Sequence, residues 1–483
     1  MSAHDIRDAQ RPPFDTVLQS MTDYVMDYDV TQSPLAMETA RYCLMDSLAC
    51  ALMALDYPEC RKLLGPLVPG ATLTGGTRVP GTGFELDPVK ATWDIGCLVR
   101  WLDFNDTWLA AEWGHHSDNL GAILGVADWL SRRRIAEGKP ALSMRDVLVA
   151  MIQAHEIQGV SALENAFNRV GLDHVMLVRI ASTAVAARLL GGSREQVLNA
   201  LSHAWIDGCA LRTYRHAPNT GSRKSWAAGD ASSRGVRLAL IALSGEMGCP
   251  SALTARTWGF QDALYRGNAL KFSQEFGSYV MENILFKISF PAEFHAQTAV
   301  ECAMQLHPQV KDRIEQIARI EIETQEAGSR IIDKTGPLNN FADRDHCIQY
   351  MVAVPLIKGR LIADDYTDAG AADPRIDALR AKTTVKENLR FSREYLEADK
   401  RHIGNSVQVF FKDGSSTEKV SIDAPIGHRR RRAEGIPVLV KKFEAAIAGR
   451  LAPKRCAAIS QLCANQAQLE TTPVNEFMQL FVA

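Results

Sequence analysis

Residues 175–211, VMLVRIASTAVAARLLGGSREQVLNALSHAWIDGCAL, contain two helices and the break between them. Val175 to Leu190 is Ala/Leu-rich, with apolar residues recurring at three-to-four spacing. Gly191-Gly192 ends that helix, and Ser193-Arg194-Glu195-Gln196 is a capping box that opens the next, which runs on to Leu211. The same texture recurs outward on both sides, at Ala36 to Leu55, Val147 to Val160 and Val236 to Glu246. From residue 16 to 280 the chain therefore reads as helical. Few segments there alternate with period two, which disfavours a parallel-sheet fold. Gly75-Gly76 and Gly81 to Gly83 match neither GxGxxG nor GxxxxGK, so a nucleotide loop is not supported.

Beyond Gly277 the pattern changes. Arg319 to Thr324 alternates as a half-buried strand does, and Val407 to Phe411, Lys412-Asp413-Gly414 and Thr417 to Ile422 spell a hairpin with an Asp-Gly turn. Helical text lies between, at Phe294 to Leu306 and His346 to Leu361, and again at Pro437 to Phe481. The expectation is a mainly α protein. A large all-helical domain over residues 1–283 is completed by 426–483, with a smaller α+β lid domain at 284–425. There are no internal repeats.

Composition narrows the function classes. Over 483 residues, 54 basic and 56 acidic side chains leave a formal charge of −2, without the basic surplus of a nucleic-acid binder. The ten cysteines, Cys43, Cys50, Cys60, Cys97, Cys209, Cys249, Cys302, Cys347, Cys456 and Cys463, form no CxxC. Zinc ribbons and most iron–sulfur clusters need close pairs, so neither is expected, and most of these cysteines read as small reduced hydrophobes. Met1 to Phe14 is polar and carries Asp5 and Asp8, unlike a signal or transit peptide. Cys43 to Leu55 is interrupted by Asp46 and too short to span a bilayer. A cytoplasmic protein with no membrane or nucleic-acid partner is expected.

Two polar clusters could carry chemistry. The first runs Trp101-Leu102-Asp103-Phe104-Asn105-Asp106-Thr107-Trp108 and then Glu112-Trp113-Gly114-His115-His116-Ser117-Asp118-Asn119. Carboxylates among Trp and Phe are partly desolvated, which raises their proton affinity, and histidine exchanges protons near neutrality. The competing reading is a helix-end loop with capping Asp and Asn. A metal is disfavoured because adjacent His115 and His116 diverge and HExxH is absent. The second cluster is Arg212, Arg215, His216, Arg223 and Lys224, with no acidic residue between Asp207 and Asp230. Arg forks and a Lys point charge suit a polycarboxylate or phosphate, whereas the plain alternative is a solvated basic loop.

Smaller features have bland alternatives. His174, in the turn Asn168 to His174, could face a pocket, but a capping or solvated histidine fits the pattern better. Lys287 sits in apolar text where a snorkelling lysine would do. Tyr350 reads as core before catalysis. The run Arg429 to Arg432 reads as a solvated face or an interface.

The segments WLDFNDTWLAAEWG with HHSDN, AHEIQGV, FNRVGLDHV, RTYRHAPNTGSRKSWAAGDA, GSYVMENILFKISFPAEFH, DRDHCIQYMVAVPL and PIGHRRRRAEGIP together resemble the MmgE/PrpD family over nearly the whole chain. That resemblance implies a helical domain, an α+β lid and a pocket between them. The family's pocket pattern falls on Asp103, Thr107, His115, His174, Lys224, Lys287 and Tyr350. It implies cofactor-independent dehydration of 2-methylcitrate to 2-methyl-cis-aconitate in propionate breakdown, by a homodimer. Such an elimination needs a base, Asp103 or His115, and an acid, His174 or Tyr350. Lys224, Lys287, Arg212 and Arg215 would hold the substrate's carboxylates, with Thr107 orienting one of them. Two alternatives are decarboxylation of cis-aconitate and a weakly active member that only binds a tricarboxylate. The second rests on His116, which replaces the family's usual proline.

Overall fold

The computed structural model describes residues 9–208 and 210–483. Asp5, Asp8 and Cys209 lie outside the described residues. The architecture is mainly helical, with a smaller α+β region.

The first helices are α1 (Thr16–Asp27), α2 (Pro34–Ala54), α3 (Pro88–Arg100), α4 (Leu120–Ala136) and α5 (Met144–Ala162). A two-residue antiparallel pair, β1 (Thr77–Arg78) with β2 (Glu85–Leu86), precedes α3. Then follow α6 (Val175–Leu189), α7 (Arg194–Ile206) and α8 (Arg223–Leu243). Helix α6 is buried nearly all round, as an apolar helix without a polar face must be. The expected capping box is present: Ser193 accepts from Gln196 N while Gln196 Oε1 accepts from Ser193 N.

Two helix boundaries shift from expectation. Helix α7 stops at Ile206 rather than Leu211, because Gly208 takes a left-handed φ of +49°. Helix α8 begins thirteen residues before Val236, at Arg223. Its first half packs with Ser225, Ala228, Gly229, Ser232 and Ser233, small residues that an apolar count overlooks. There it crosses α3 closely: a Cβ on Gly229 would lie 2.5 Å from Trp93 O and 2.9 Å from Cys97 N.

The second core gathers residues from Phe290 to Phe411. After α9 (Gln297–Val310) comes β3 (Ile317–Thr324), then α10 (Ile348–Lys358), β4 (Thr383–Glu387), β5 (Asn405–Phe411) and β6 (Val420–Ile422). The sheet order is β4-β3-β5-β6, with β3 parallel to β4 and the other pairs antiparallel. Gly414 supplies the turn after β5 at φ +84°. The second hairpin strand starts only at Val420, because Thr417 bonds to Val409 through Oγ1 as well as its backbone.

The chain then returns to the first core with α11 (Arg432–Ala448) and α12 (Val474–Gln479). Leu439, Phe443, Phe477 and Phe481 are fully buried there. Lys442 of α11 donates to Asp46 Oδ1 (2.7 Å), Phe104 O (2.8 Å) and Lys287 O (3.0 Å), binding the segments around residues 104 and 287 to one another. The run Arg429 to Arg432 is an internal clasp. Arg431 bonds Glu301 and Glu434, and Arg432 donates to Ile284 O. No helix among the described residues is long and apolar enough to cross a membrane.

Candidate active site

Helix α3 ends at Arg100, and three residues later Asp103 adopts φ +50°, a left-handed conformation that L residues seldom hold unless their surroundings enforce it. Arg100 Nη1 lies 2.8 Å and Lys287 Nζ 2.5 Å from Asp103 Oδ1. Burial alone would lift this carboxyl, but Arg100 and Lys287 overturn that and hold it well below the usual range. The other oxygen, Oδ2, has no hydrogen-bond partner among the described residues. Lys224 Nζ stands 3.9 Å from it and His346 Nε2 3.8 Å.

A two-sided bridge between Trp108 and Gly114 folds the intervening loop back and delivers His115 beside Asp103. Asp106 secures the arrangement by accepting from Ser117 N (3.0 Å), Ser117 Oγ (2.5 Å) and His155 Nε2 (2.8 Å). His115 Nδ1 is 2.7 Å from Asp106 O; a carbonyl only accepts, so Nδ1 bears the proton and Nε2 a lone pair. That Nε2 points toward Asp103 Oδ1 at 3.5 Å. Burial, reinforced by Arg100 and Lys287, keeps the ring neutral. Thr107 Oγ1 is 3.3 Å from the same Nδ1, so in this structure the threonine lies against His115. His116 turns the other way, toward Trp108 and His155, with both ring nitrogens buried and without a hydrogen-bond partner among the described residues.

His174 occupies the position before α6, yet its side chain neither caps that helix nor meets solvent. Its Nε2 is 4.0 Å from Asp118 Oδ2 and its Nδ1 3.3 Å from Asp173 Oδ1. Burial pushes Asp118 up to about 7 and holds His174 well below its ordinary value. Glu112 is likewise lifted by burial to about 7; its Oε2 accepts from Asn168 N and Nδ2, both at 2.6 Å.

The basic segment 212–224 lacks acidic neighbours in sequence but not in space. Arg215 Nε and Nη2 grip Asp173 at 2.5 and 3.2 Å. Lys224 Nζ donates to both oxygens of Asp345 at 2.8 and 2.6 Å. Arg212 Nη1 has no hydrogen-bond partner among the described residues and lies 3.6 Å from Asp173 and 3.9 Å from Glu112. Arg212, Arg215 and Lys224 are all buried, so the solvated-loop alternative fails for them. Lys287 is only 1% exposed and does not snorkel.

Tyr350 is not part of this assembly. Its hydroxyl donates to Asp365 O at 2.5 Å and its ring stacks on Tyr366 within the second core. Burial raises its proton affinity. Sequence reasoning did not single out Arg100, Asp345 or His346, and it named Glu112 and Asp118 only as members of the first polar cluster. The DRDH text holding Asp345 and His346 was visible, but nothing in it indicates that Asp345 meets a lysine 121 positions earlier.

Two buried trios near the site have the donor atoms of a metal centre, Cys43/Asp106/His155 and Asp103/Asp345/His346. In the second, Lys224 and Lys287 already supply positive charge to the carboxylates.

The MmgE/PrpD N-terminal domain family model matches residues 19–273 and the MmgE/PrpD C-terminal domain model residues 290–466. This chain belongs to the MmgE/PrpD family. It is similar along its length to other members named 2-methylcitrate dehydratase. The protein from Salmonella typhimurium (strain LT2) is 60% identical over 98% of each chain. That from Cupriavidus necator is 60% identical over 99% of each. A mitochondrial one from Yarrowia lipolytica is 57% identical over 98% of this chain and 92% of its own.

Proposed function

We propose that this MmgE/PrpD protein is a 2-methylcitrate dehydratase that eliminates water to give 2-methyl-cis-aconitate in propionate breakdown. The near-60% identity to proteins of that name over their full length carries the reading. The buried collection of lysine, arginine, imidazole and carboxylate side chains supports it, since dehydrating a tricarboxylate needs charge neutralisation, a base and an acid.

Of the two candidate bases, His115 is the better. Asp103 is bound by Arg100 and Lys287 and has little affinity for a proton, whereas His115 Nε2 offers a lone pair on a neutral ring. Asp103 then orders the surrounding cations, and Thr107 steadies the ring of His115. Of the two candidate acids, Tyr350 drops out because its hydroxyl is held by Asp365 O, and His174 stays within the buried site. Lys224, Lys287, Arg212 and Arg215 neutralise substrate carboxylates by exchanging their present carboxylate partners for those of the ligand.

We read the reaction as independent of any metal or cluster, and the protein as a cytoplasmic homodimer. We divide the chain into a helical domain (1–283 with 426–483) and an α+β lid (284–425). Exposed Leu67, Val68, Met247 and Trp258 on the helical part are apolar surface that a second copy would cover.

The test is to incubate chelator-treated protein with 2-methylcitrate, citrate and cis-aconitate and identify products by NMR. 2-Methyl-cis-aconitate is expected. Itaconate from cis-aconitate would establish a decarboxylase instead, and a need for added iron would end the cofactor-free reading.

A further inference from the structure

We propose that His346, oriented by Asp345, is the acid that protonates the departing hydroxyl group; the assignment rests on the dehydratase reading. Both residues lie on the loop ahead of α10, in the α+β region, and His346 approaches Oδ2 of Asp103 whereas His115 approaches Oδ1. His346 Nδ1 is 2.7 Å from Asp345 Oδ1, the carboxylate–imidazole contact that fixes a ring's direction and supports a positive charge on it. Its Nε2 stands 3.8 Å from Asp103 Oδ2, the oxygen without a hydrogen bond, with Lys224 Nζ 3.9 Å from that same oxygen. These three groups frame a gap slightly too wide for direct bonding, where a substrate hydroxyl could meet Nε2.

The placement divides the work between two imidazoles. His115 addresses Oδ1 of Asp103 and His346 addresses Oδ2, so base and acid do not compete for one proton. His174 lies on the His115 side, with ring centroids 6.0 Å apart, and becomes a contact for a substrate carboxylate. The charged groups facing His346 are Asp345, Asp103, Glu293 and Lys224, whose Nζ is 3.3 Å from Nδ1. In the free enzyme, burial and Lys224 keep the ring neutral. A tricarboxylate adds negative charge and draws Lys224 toward itself, and His346 then takes up a second proton.

The step balances. The proton on the carbon next to a carboxylate passes to His115 Nε2, and the C–H electron pair becomes the new C=C bond. The C–O bond breaks with its pair on oxygen, the Nε2 proton of His346 joins that oxygen, and water leaves. His115 then releases its proton to solvent, and His346 gains another with the next substrate.

The experiment compares wild type, His346→Gln and Asp345→Asn. His346→Gln is expected to lower kcat on 2-methylcitrate by at least ~100-fold with KM changed less than about threefold. Calorimetric binding of tricarballylate, which has no hydroxyl to lose, in two buffers of different ionisation heat should show about one proton fewer taken up than by wild type. Asp345→Asn, the positioning variant, should lower kcat and move the alkaline limb of its pH profile to lower pH, since the imidazolium loses its counter-charge. Unchanged proton uptake, or a kcat within tenfold of wild type in His346→Gln, overturns the proposal. If that variant does not fold by circular dichroism, Asp345→Asn decides, and an unmoved alkaline limb overturns it. Absence of product from wild type would sink the dehydratase reading alone, because proton uptake reports on His346 without turnover.

Discussion

At the residue scale, one oxygen of Asp103 binds two cations while the other stays open, and most of the site's electrostatics follow from that asymmetry. Arg100 and Lys287 suppress the basicity of Asp103 and, on top of burial, that of His115, but the neutral imidazole still presents its Nε2 lone pair. Tyr350 illustrates the opposite outcome, a polar residue of the family pattern whose hydroxyl is satisfied elsewhere. Tyr350→Phe should leave kcat within about threefold of wild type and cost about 1 kcal/mol of stability through the lost bond to Asp365 O. A steady-state assay and a urea melt check both. Glu112 offers a pH test. Its carboxyl is raised in the folded protein to about 7 from an ordinary 4.5, so its contribution is fully present below the unfolded value and is lost as pH rises through 7. Glu112→Gln should therefore be near-neutral at pH 5 and stabilising at pH 8, by on the order of 2 kcal/mol. Parallel thermal melts at the two pH values would show it; a pH-independent difference would refute it.

At the element scale, helices of strong apolar period were legible and helices of small residues were not. Helix α8 was seen only from Val236 because its earlier turns meet α3 through Gly and Ser, not Leu. Strand β4 is illegible for a related reason: it is an edge strand whose text, Thr383 to Glu387, holds a single apolar residue and none that is buried. The α3–α8 crossing also positions chemistry, since Lys224 lies five residues before Gly229 on the same helix. Gly229→Ala would push a methyl group against Trp93 O and Cys97 N. We expect a loss of roughly 1–3 kcal/mol in urea unfolding, together with a higher KM for the tricarboxylate as Lys224 is displaced. Wild-type stability would mean that the two helices can separate freely.

At the scale of the whole molecule, the last residues of the chain complete the first core after the α+β region has been built. Val474, Phe477, Met478 and Phe481 are buried against helices that begin hundreds of residues earlier, and Phe481 O accepts from Gly81 N. Each such side chain is worth about 1.5–3 kcal/mol when buried, so losing all four rivals a typical total stability of about 5–15 kcal/mol. Deleting residues 474–483 should therefore abolish soluble expression or cooperative melting. A truncated protein with an unchanged melting temperature would show that the helical part is complete without them.

Helix content, the Ser193 capping box, the β5 turn at Gly414 and the concentration of ionisable residues at 100–119 and 212–224 are properties of local text, and the sequence by itself determined them. Local sterics and hydrophobic period act over a few residues, so they can be read without a fold. The tertiary structure alone decided which charges meet. Asp103 finds Lys287 184 positions away and Lys224 finds Asp345 121 positions away. Three members of a basic loop with no acidic neighbour in sequence, Arg212, Arg215 and Lys224, are thus buried beside carboxylates. Coulomb attraction and desolvation depend on separation and burial in space, and neither quantity is written in the order of the residues.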